Sequence, residues 1–364
     1  MTTFVYRPIL PRSSAIAKYI DQLDGSRQYT NHGPLSDDLE ARLAARFGLL
    51  PAQVLLASSG TAALTGAILG TAGRAKPARP LCLAPAYTFV AGVLAAIQCG
   101  YRPCLLDVER STWSVSPEAV LAHPQVRQAG LILVAAPYGR AAEWEAWDRV
   151  GEQAGAAVVI DAAASADALA DGRQLLARTP AIISFHATKA FSCGEGGAIL
   201  CPDSSLRSCS WAALNFGFDD ARETSASGFN GKMSEYHAAV GLAELDGWDK
   251  KRRALAEVAS AYRRSAARWN VRIHVAPEIA PNYVLFEAPE ASKAAAVKKA
   301  LAARQVETRF WYGMGLHREP YFREVPHEPL PNVDHLSSCL LGLPTAHDLA
   351  SEEVEEIVQV TAQA

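Results

Sequence analysis

Ser184-Phe185-His186-Ala187-Thr188-Lys189, followed by Gly194-Glu195-Gly196-Gly197, decides how this chain is read. The apolar run Ala181 to Phe185 reads as a buried strand, and Lys189 stands just beyond its end. An ordinary solvated lysine is the commoner meaning of such a residue, so Lys189 gains weight only through partners.

Working backwards, Ala156 to Ile160 reads as another buried strand that ends at Asp161. A helix cap or a metal ligand would account for an acid there. The metal reading lacks company: no His or Cys pair stands at ligand spacing, and Ala162-Ala163-Ala164 supplies no donor atoms. Lysine and aspartate past two neighbouring strands suit a pyridoxal phosphate site, in which the amine forms a Schiff base and the carboxylate keeps the ring nitrogen protonated. At ~4 Å and an effective dielectric of ~20 that attraction is about 4 kcal/mol, or roughly 3 pKa units.

Two further segments fit. Ser58-Ser59-Gly60-Thr61-Ala62-Ala63-Leu64 follows the apolar run Val54 to Ala57 and opens a small-residue helix, Ala62 to Gly70. Glycine allows close approach and free amides at a helix start attract an anion. The dipole contributes at most ~2 kcal/mol, so hydroxyls of Ser59, Thr61 and Ser184 are needed to complete a phosphate site. Taken alone, the segment is equally a plain helix cap. In Pro85-Ala86-Tyr87-Thr88-Phe89-Val90, after Leu81-Cys82-Leu83, Phe89 is placed to cover one face of a flat ring; its alternative is a core aromatic.

The surrounding pattern gives the fold class. Strand-like runs at Val54 to Ala57, Leu81 to Ala84, Arg102 to Asp107, Leu131 to Ala135, Ala156 to Ile160, Ala181 to Phe185 and Ala198 to Cys201 alternate with helical or loop segments. This predicts an α/β protein with a mainly parallel seven-stranded sheet covered by helices. Ligands of such sheets lie outside the carboxyl ends of the strands, where Gly60, Phe89, Asp161 and Lys189 all fall. The last third differs: a charged helix from about Leu242 to Trp269, then Tyr283 to Phe286, a helix Ser292 to Arg304, an extended Val306 to Trp311 and a final helix Ser351 to Gln363. We expect an arm at 1–12, a large domain at 13–246 and a smaller α+β domain at 247–364, dividing near Gly247.

The 364 residues, 49% hydrophobic, suffice for such cores, and a net charge of -3 gives no electrostatic reason to expect nucleic acid or an anionic membrane as partner. The run Lys250-Lys251-Arg252-Arg253 reads as a solvated helix face. Met1 to Arg12 lacks the features of a signal peptide and no apolar run is long enough to span a bilayer, so a cytoplasmic location is expected. The seven cysteines read as free, mostly buried thiols; Cys193, close to Lys189, is the one to watch for reactivity.

Together these motifs resemble the DegT/DnrJ/EryC1/StrS sugar aminotransferases, pyridoxal phosphate enzymes of the aspartate aminotransferase fold (fold type I). The resemblance extends over Tyr29-Thr30-Asn31-His32-Gly33-Pro34-Leu35 with Glu40, Ser59 to Leu64, Pro85 to Phe89 and Gly100 to Asp107. It continues through Asp161, Ser184 to Lys189, Gly194 to Gly197, Gly228 to Glu235, Glu307 to Tyr312 with His317, and Leu341 to Pro344. It implies that Lys189 carries the internal aldimine and shuttles the proton, Asp161 holds the ring nitrogen, and Gly60, Thr61, Ala62 and Ser184 surround the phosphate. It also implies that Phe89 stacks on the ring and that Asn230 or Lys232 reaches the phosphate of a neighbouring subunit, which requires a homodimer with shared sites. Tyr29, Asn31, Glu195, Tyr312 and His317 are the expected sugar or nucleotide contacts.

The implied reaction takes an amino group from glutamate, leaving pyridoxamine phosphate, and passes it to a nucleotide-linked keto sugar by ping-pong kinetics. Because Tyr29 to Leu35 resembles members acting at sugar carbon 4, dTDP-4-keto-6-deoxyglucose is the expected acceptor. One departure stands out: where the family has glutamine or histidine near the cofactor's phenolic oxygen, this chain has Ala164. Two other functions compete: a pyridoxal-dependent sugar dehydratase, against which Lys189 speaks because dehydrating relatives have histidine there, and a non-catalytic regulatory relative, which an intact Lys189 and Asp161 disfavour.

Overall fold

The structure is a computed structural model describing residues 2–140, 142–170, 178–218 and 222–364. The strands of its main sheet are β1 (Val54–Ala57), β2 (Leu81–Pro85), β3 (Arg102–Leu106), β4 (Ala129–Ala135), β5 (Ala157–Asp161), β6 (Ala181–Ser184) and β7 (Gly197–Leu200). Most of their residues are apolar and buried on both faces, as expected of a sheet covered by helices, while the edge strand β3 starts exposed at Arg102.

The spatial order is β1-β7-β6-β5-β4-β2-β3. Pairing is parallel from β3 through β6, while β7 runs antiparallel to both β6 and β1. The reversal at β7 goes with a connection, Phe185 to Gly196, that holds turns and bends and no helix to carry the crossover that a parallel neighbour needs. Asp161 is the last residue of β5 rather than the first beyond it, and β6 stops at Ser184, one residue before Phe185.

Helices α1 (Ser13–Ser26), α2 (Pro34–Phe47), α3 (Gly60–Thr71), α4 (Ala91–Gln98), α5 (Pro117–Ala122), α6 (Trp144–Ala154), α7 (Ala166–Ala170) and α8 (Ser204–Leu214) accompany the sheet. Small residues bring α3 against α8: a Cβ added at Gly66 would lie 2.8 Å from Leu214 Cδ2, and one at Gly70 2.9 Å from the Ser210 amide. This close packing sets the start of α3 at the carboxyl end of β1.

Helix α9 spans Glu235–Trp269, seven residues longer at its start than the charge pattern suggested, because Ser234 caps it by accepting from the His237 amide. Beyond it lie β8 (Ile273–His274), β9 (Leu285–Glu287), α10 (Ala291–Ala302), α11 (Pro331–Cys339), β10 (Leu340–Gly342) and α12 (Ser351–Gln363), with β10-β9-β8 forming a small antiparallel sheet. Val306 to Trp311 is not a strand. It makes isolated bridges, Val306 with Thr3 and Arg309 with Gly342, which tie the amino-terminal arm to this end of the molecule.

Two hydrophobic clusters result. The smaller gathers Val258, Tyr262, Phe286, Val297, Leu301, Leu341, Val354 and Val358. The larger fills the sheet layers, but also takes Tyr283, Leu285, Leu316, Phe322, Leu330 and Val333, so the cores interleave along the chain after Gly247. The basic run on α9 is only partly a solvated face: Lys251 pairs with the buried Glu244 at 2.5 Å and Arg252 with Asp167 at 2.6 Å. Among the described residues no helix is long and apolar enough to cross a membrane.

Candidate active site

At the carboxyl ends of β1, β2, β4, β5 and β6 lies a cavity of about 700 Å³. Ala135, Asp161 and Ser184, the last residues of β4, β5 and β6, line it together with Ser58 to Thr61 and Thr88 to Phe89 from the segments after β1 and β2, which explains why separate parts of the chain converge there.

On one side, Ser59 is the N-cap of α3 and its hydroxyl accepts from the Ala62 amide at 3.0 Å. Ala62 therefore spends its N–H inside the cap and does not line the cavity, whereas the amides of Gly60 and Thr61 lack helical acceptors. Gly60 is needed for closeness: a Cβ there would meet the Ser184 Cβ at 2.8 Å. The buried Ser184 takes a hydrogen bond on Oγ from the His186 amide at 3.3 Å. Two helix-start amides beside the hydroxyls of Thr61 and Ser184 would suit an anion.

Deeper in, Asp161 Oδ1 accepts from the Ala163 amide at 3.0 Å. The carboxylate lines the cavity and no other described residue donates to it. Burial pushes its pKa up, while the Ala163 amide and the charge of Lys189 pull the other way. A half-buried carboxylate with an unclaimed oxygen facing a cavity is a site for a cation.

Lys189 follows from the turn that ends β6. Its Nζ donates to the Tyr283 hydroxyl at 3.3 Å, and its carbonyl accepts from the Tyr6 hydroxyl at 3.4 Å. Phe89, 58% exposed, stands at the cavity mouth with Thr88. The far wall is aromatic: Tyr312 stacks on Tyr138 with centroids 4.6 Å apart, Tyr283 meets Trp311 edge-on at 5.4 Å, and Arg309 completes the rim. Ala164 also lines the cavity, as a methyl group.

An amine, an unclaimed carboxylate oxygen, an anion site and an exposed aromatic on one cavity fit pyridoxal phosphate. Lys189 would hold its aldehyde carbon, Asp161 its ring nitrogen, and Gly60, Thr61 and Ser184 its phosphate.

Of the residues singled out from sequence, Gly60, Thr61, Phe89, Asp161, Ser184, Lys189, Glu195 and Tyr312 line this cavity, and Ala62, Tyr29, Asn31, Asn230, Lys232 and His317 do not. Tyr29 stacks on Tyr236 at 6.1 Å, and Asn31 has a left-handed backbone, φ 63°. That loop is anchored by the buried Glu235, whose carboxylate accepts from the amides of Gly33 at 3.0 Å and Leu35 at 2.7 Å. His317 is buried against Asp334, Nε2 to Oδ1 2.9 Å. Asn230 is exposed, and Lys232 lies over the Phe216 ring at 4.4 Å with its pKa lowered by burial. Glu195 stands 3.6 Å from His186 at the rim. Cys193 is buried and its thiol is pushed up by that burial, so packing accounts for it.

Sequence reasoning missed Tyr283, and left Arg309 and Trp311 without a role. Tyr283 stands ahead of an apolar run with no local signal; only its distance to Lys189 reveals it.

The sequence profile of the DegT/DnrJ/EryC1/StrS aminotransferase family matches residues 12–361. The chain belongs to this family. It is 31% identical to Protein Rv3402c of Mycobacterium tuberculosis over 98% of this chain and 89% of that protein. It is 30% identical to the dTDP-4-amino-4,6-dideoxy-D-glucose transaminase of Shigella dysenteriae, over 68% of this chain and 65% of that one. The solved structure of DesI in the presence of its TDP-sugar product matches with a TM-score of 0.88 and 28% identity, covering 100% of this chain and 92% of that one. The architecture of this family member is fold type I, the mostly parallel seven-stranded sheet described above.

Proposed function

We propose that this aminotransferase moves an amino group from glutamate to a nucleotide-linked keto-deoxysugar, with dTDP-4-keto-6-deoxyglucose as the favoured acceptor and a 4-amino-4,6-dideoxy sugar as product. The observation that carries the proposal is the cavity on which Lys189 Nζ and the unclaimed oxygen of Asp161 open together, beside the anion site at Gly60, Thr61 and Ser184. The Shigella dysenteriae relative, whose name specifies a 4-amino-4,6-dideoxy-D-glucose, and the DesI structure with its TDP-sugar product support the sugar class and the carbon.

Pyridoxal phosphate, when bound, supplies the aldehyde and the electron sink for the transfer. The chain's own residues do the rest. Asp161 keeps the ring nitrogen protonated, Gly60, Thr61 and Ser184 bind the phosphate, and Phe89 covers the ring face. Lys189, once free, takes a proton from one carbon and returns it to another. Tyr312 and Glu195 line the route left for the sugar. Asn230 and Lys232, outside the cavity of their own chain, are assigned to the phosphate of a second copy, and Tyr29, Asn31 and His317 to outer contacts, so the working form is a cytoplasmic homodimer with shared sites.

The test is a panel of nucleotide keto sugars with glutamate, the products identified by mass and NMR. Glutamate alone should change the visible absorbance of the loaded protein, and double-reciprocal plots should be parallel. Intersecting lines, or no spectral response to glutamate, would refute the transfer.

A further inference from the structure

We infer that Tyr283 is a positioning residue for Lys189: its phenol holds the ε-amino group so that the nitrogen lone pair faces the cavity. The inference rests on the pyridoxal reading above and adds a residue to it.

Four observations converge. Lys189 Nζ lies 3.3 Å from the Tyr283 hydroxyl but 5.9 Å from the ring centroid, so the amine meets the oxygen and not the ring face. Among the described residues no carboxylate forms an ion pair with Lys189, which leaves this phenol as the polar group that orients Nζ. The phenol itself is held: Tyr283 is 8% exposed, with Tyr138 edge-on at 5.3 Å and Trp311 edge-on at 5.4 Å. The adjacent Asn282, 1% exposed, donates from Nδ2 to the Thr188 carbonyl at 2.9 Å. Neighbouring residues on one loop thus grip the backbone before the lysine and the tip of its side chain.

The consequence is chemical. An amine that spends one N–H on a fixed oxygen has its lone pair directed elsewhere, and holding it in advance spends the rotamer freedom of the long side chain before the cofactor arrives. When the amine joins the cofactor's aldehyde carbon, a C=N bond forms and one water leaves. A phenol at the nitrogen increases the fraction of collisions that succeed without touching the substrate.

The experiment follows capture rather than turnover. Ligand-free protein is mixed with pyridoxal phosphate, the absorbance is followed by stopped flow, and borohydride fixation with peptide mapping assigns the label to Lys189. Tyr283→Phe removes one oxygen and keeps the ring, and should slow capture at least fivefold with an unchanged circular dichroism spectrum. Tyr87→Phe is the control: its hydroxyl meets the Tyr138 hydroxyl at 3.0 Å in the same aromatic cluster, away from Lys189, and should capture at the parent rate. Equal rates for Tyr283→Phe and the parent, or equal slowing in both variants, would overturn the inference while the parent's labelling of Lys189 leaves the pyridoxal reading intact. A parent that captures nothing sinks that reading, and this inference with it.

Discussion

The two walls of the cavity are built differently. The wall at the sheet ends uses residues that each terminate a strand or start a helix: Gly60 and Thr61 after β1, Asp161 at the end of β5, Ser184 and Lys189 at and after β6. The aromatic wall uses Tyr283 before β9 and Trp311 and Tyr312 from a segment without regular structure, backed by the buried Tyr138 after β4. The first wall carries charge and backbone amides, whereas the second carries rings whose packing depends on one another. Charge and backbone amides therefore gather at the sheet ends, where strand geometry sets distances, and the rings gather on loops.

The contrast breaks most visibly at Lys189. Lys189→Ala should lower turnover more than about a thousandfold, since both covalent attachment and proton transfer are lost, while the melting temperature of the ligand-free protein stays near the parent's. A variant that turns over at the parent rate would show that the sheet-end wall is not the reacting one.

Asp161→Asn comes next. It keeps the hydrogen bond from the Ala163 amide but removes the charge, and should cost about a hundredfold in rate. The pH dependence sharpens this. Burial raises the Asp161 pKa, so below it the carboxyl is neutral and attracts the cofactor less. Parent affinity for pyridoxal phosphate should weaken as pH falls through that raised pKa, and the affinity of the Asn variant should not follow it; fluorescence titration across pH reads both.

Gly60→Ala tests the close approach. The added Cβ meets Ser184 Cβ at 2.8 Å; overpacking of about 1–3 kcal/mol exceeds the helix-propensity gain of up to about 1 kcal/mol. The net loss should be about 1 kcal/mol, with roughly tenfold weaker pyridoxal phosphate binding. The first appears as a lower melting temperature of the ligand-free protein, the second as a smaller rise on adding the cofactor.

The smallest effect is expected outside both walls. Asp246 on α9 meets Lys18 and Tyr19 on α1 and Arg42 on α2. Burial pushes its pKa up, but these hydrogen bonds outweigh it and hold the carboxyl at about 2. A depressed carboxyl stabilises the fold above its unfolded pKa and loses that contribution as pH falls through the folded value. For a pair this exposed, Asp246→Asn should cost about 1 kcal/mol at neutral pH, with the difference vanishing near pH 2 and capture of pyridoxal phosphate unchanged.

Legibility in the sequence follows the same division. Short apolar runs flanked by glycine or charge announce strands and their ends, so the sheet-end wall could be read residue by residue. At Ala62 the amide meets Ser59 Oγ instead of the cavity, and which of three adjacent amides stays free depends on the rotamer of Ser59. Tyr283 could not be read, since tyrosine before a strand is an ordinary packing residue until it is known which amine it faces. His317 and Tyr29 carried motif weight, yet the structure buries one against Asp334 and stacks the other on Tyr236.

Local periodicity and residue chemistry alone determined the seven strands, the helix over Ser351 to Gln363, and the lysine, aspartate and glycine at the strand ends, because those signals are carried by neighbours in the chain. Tertiary structure decided the reversal of β7, the interleaving of the two cores after α9, the aromatic wall and the contact between Tyr283 and Lys189. These join residues far apart in sequence, 94 positions in the last case, and no chain-local pattern encodes a distance that only the closed fold creates.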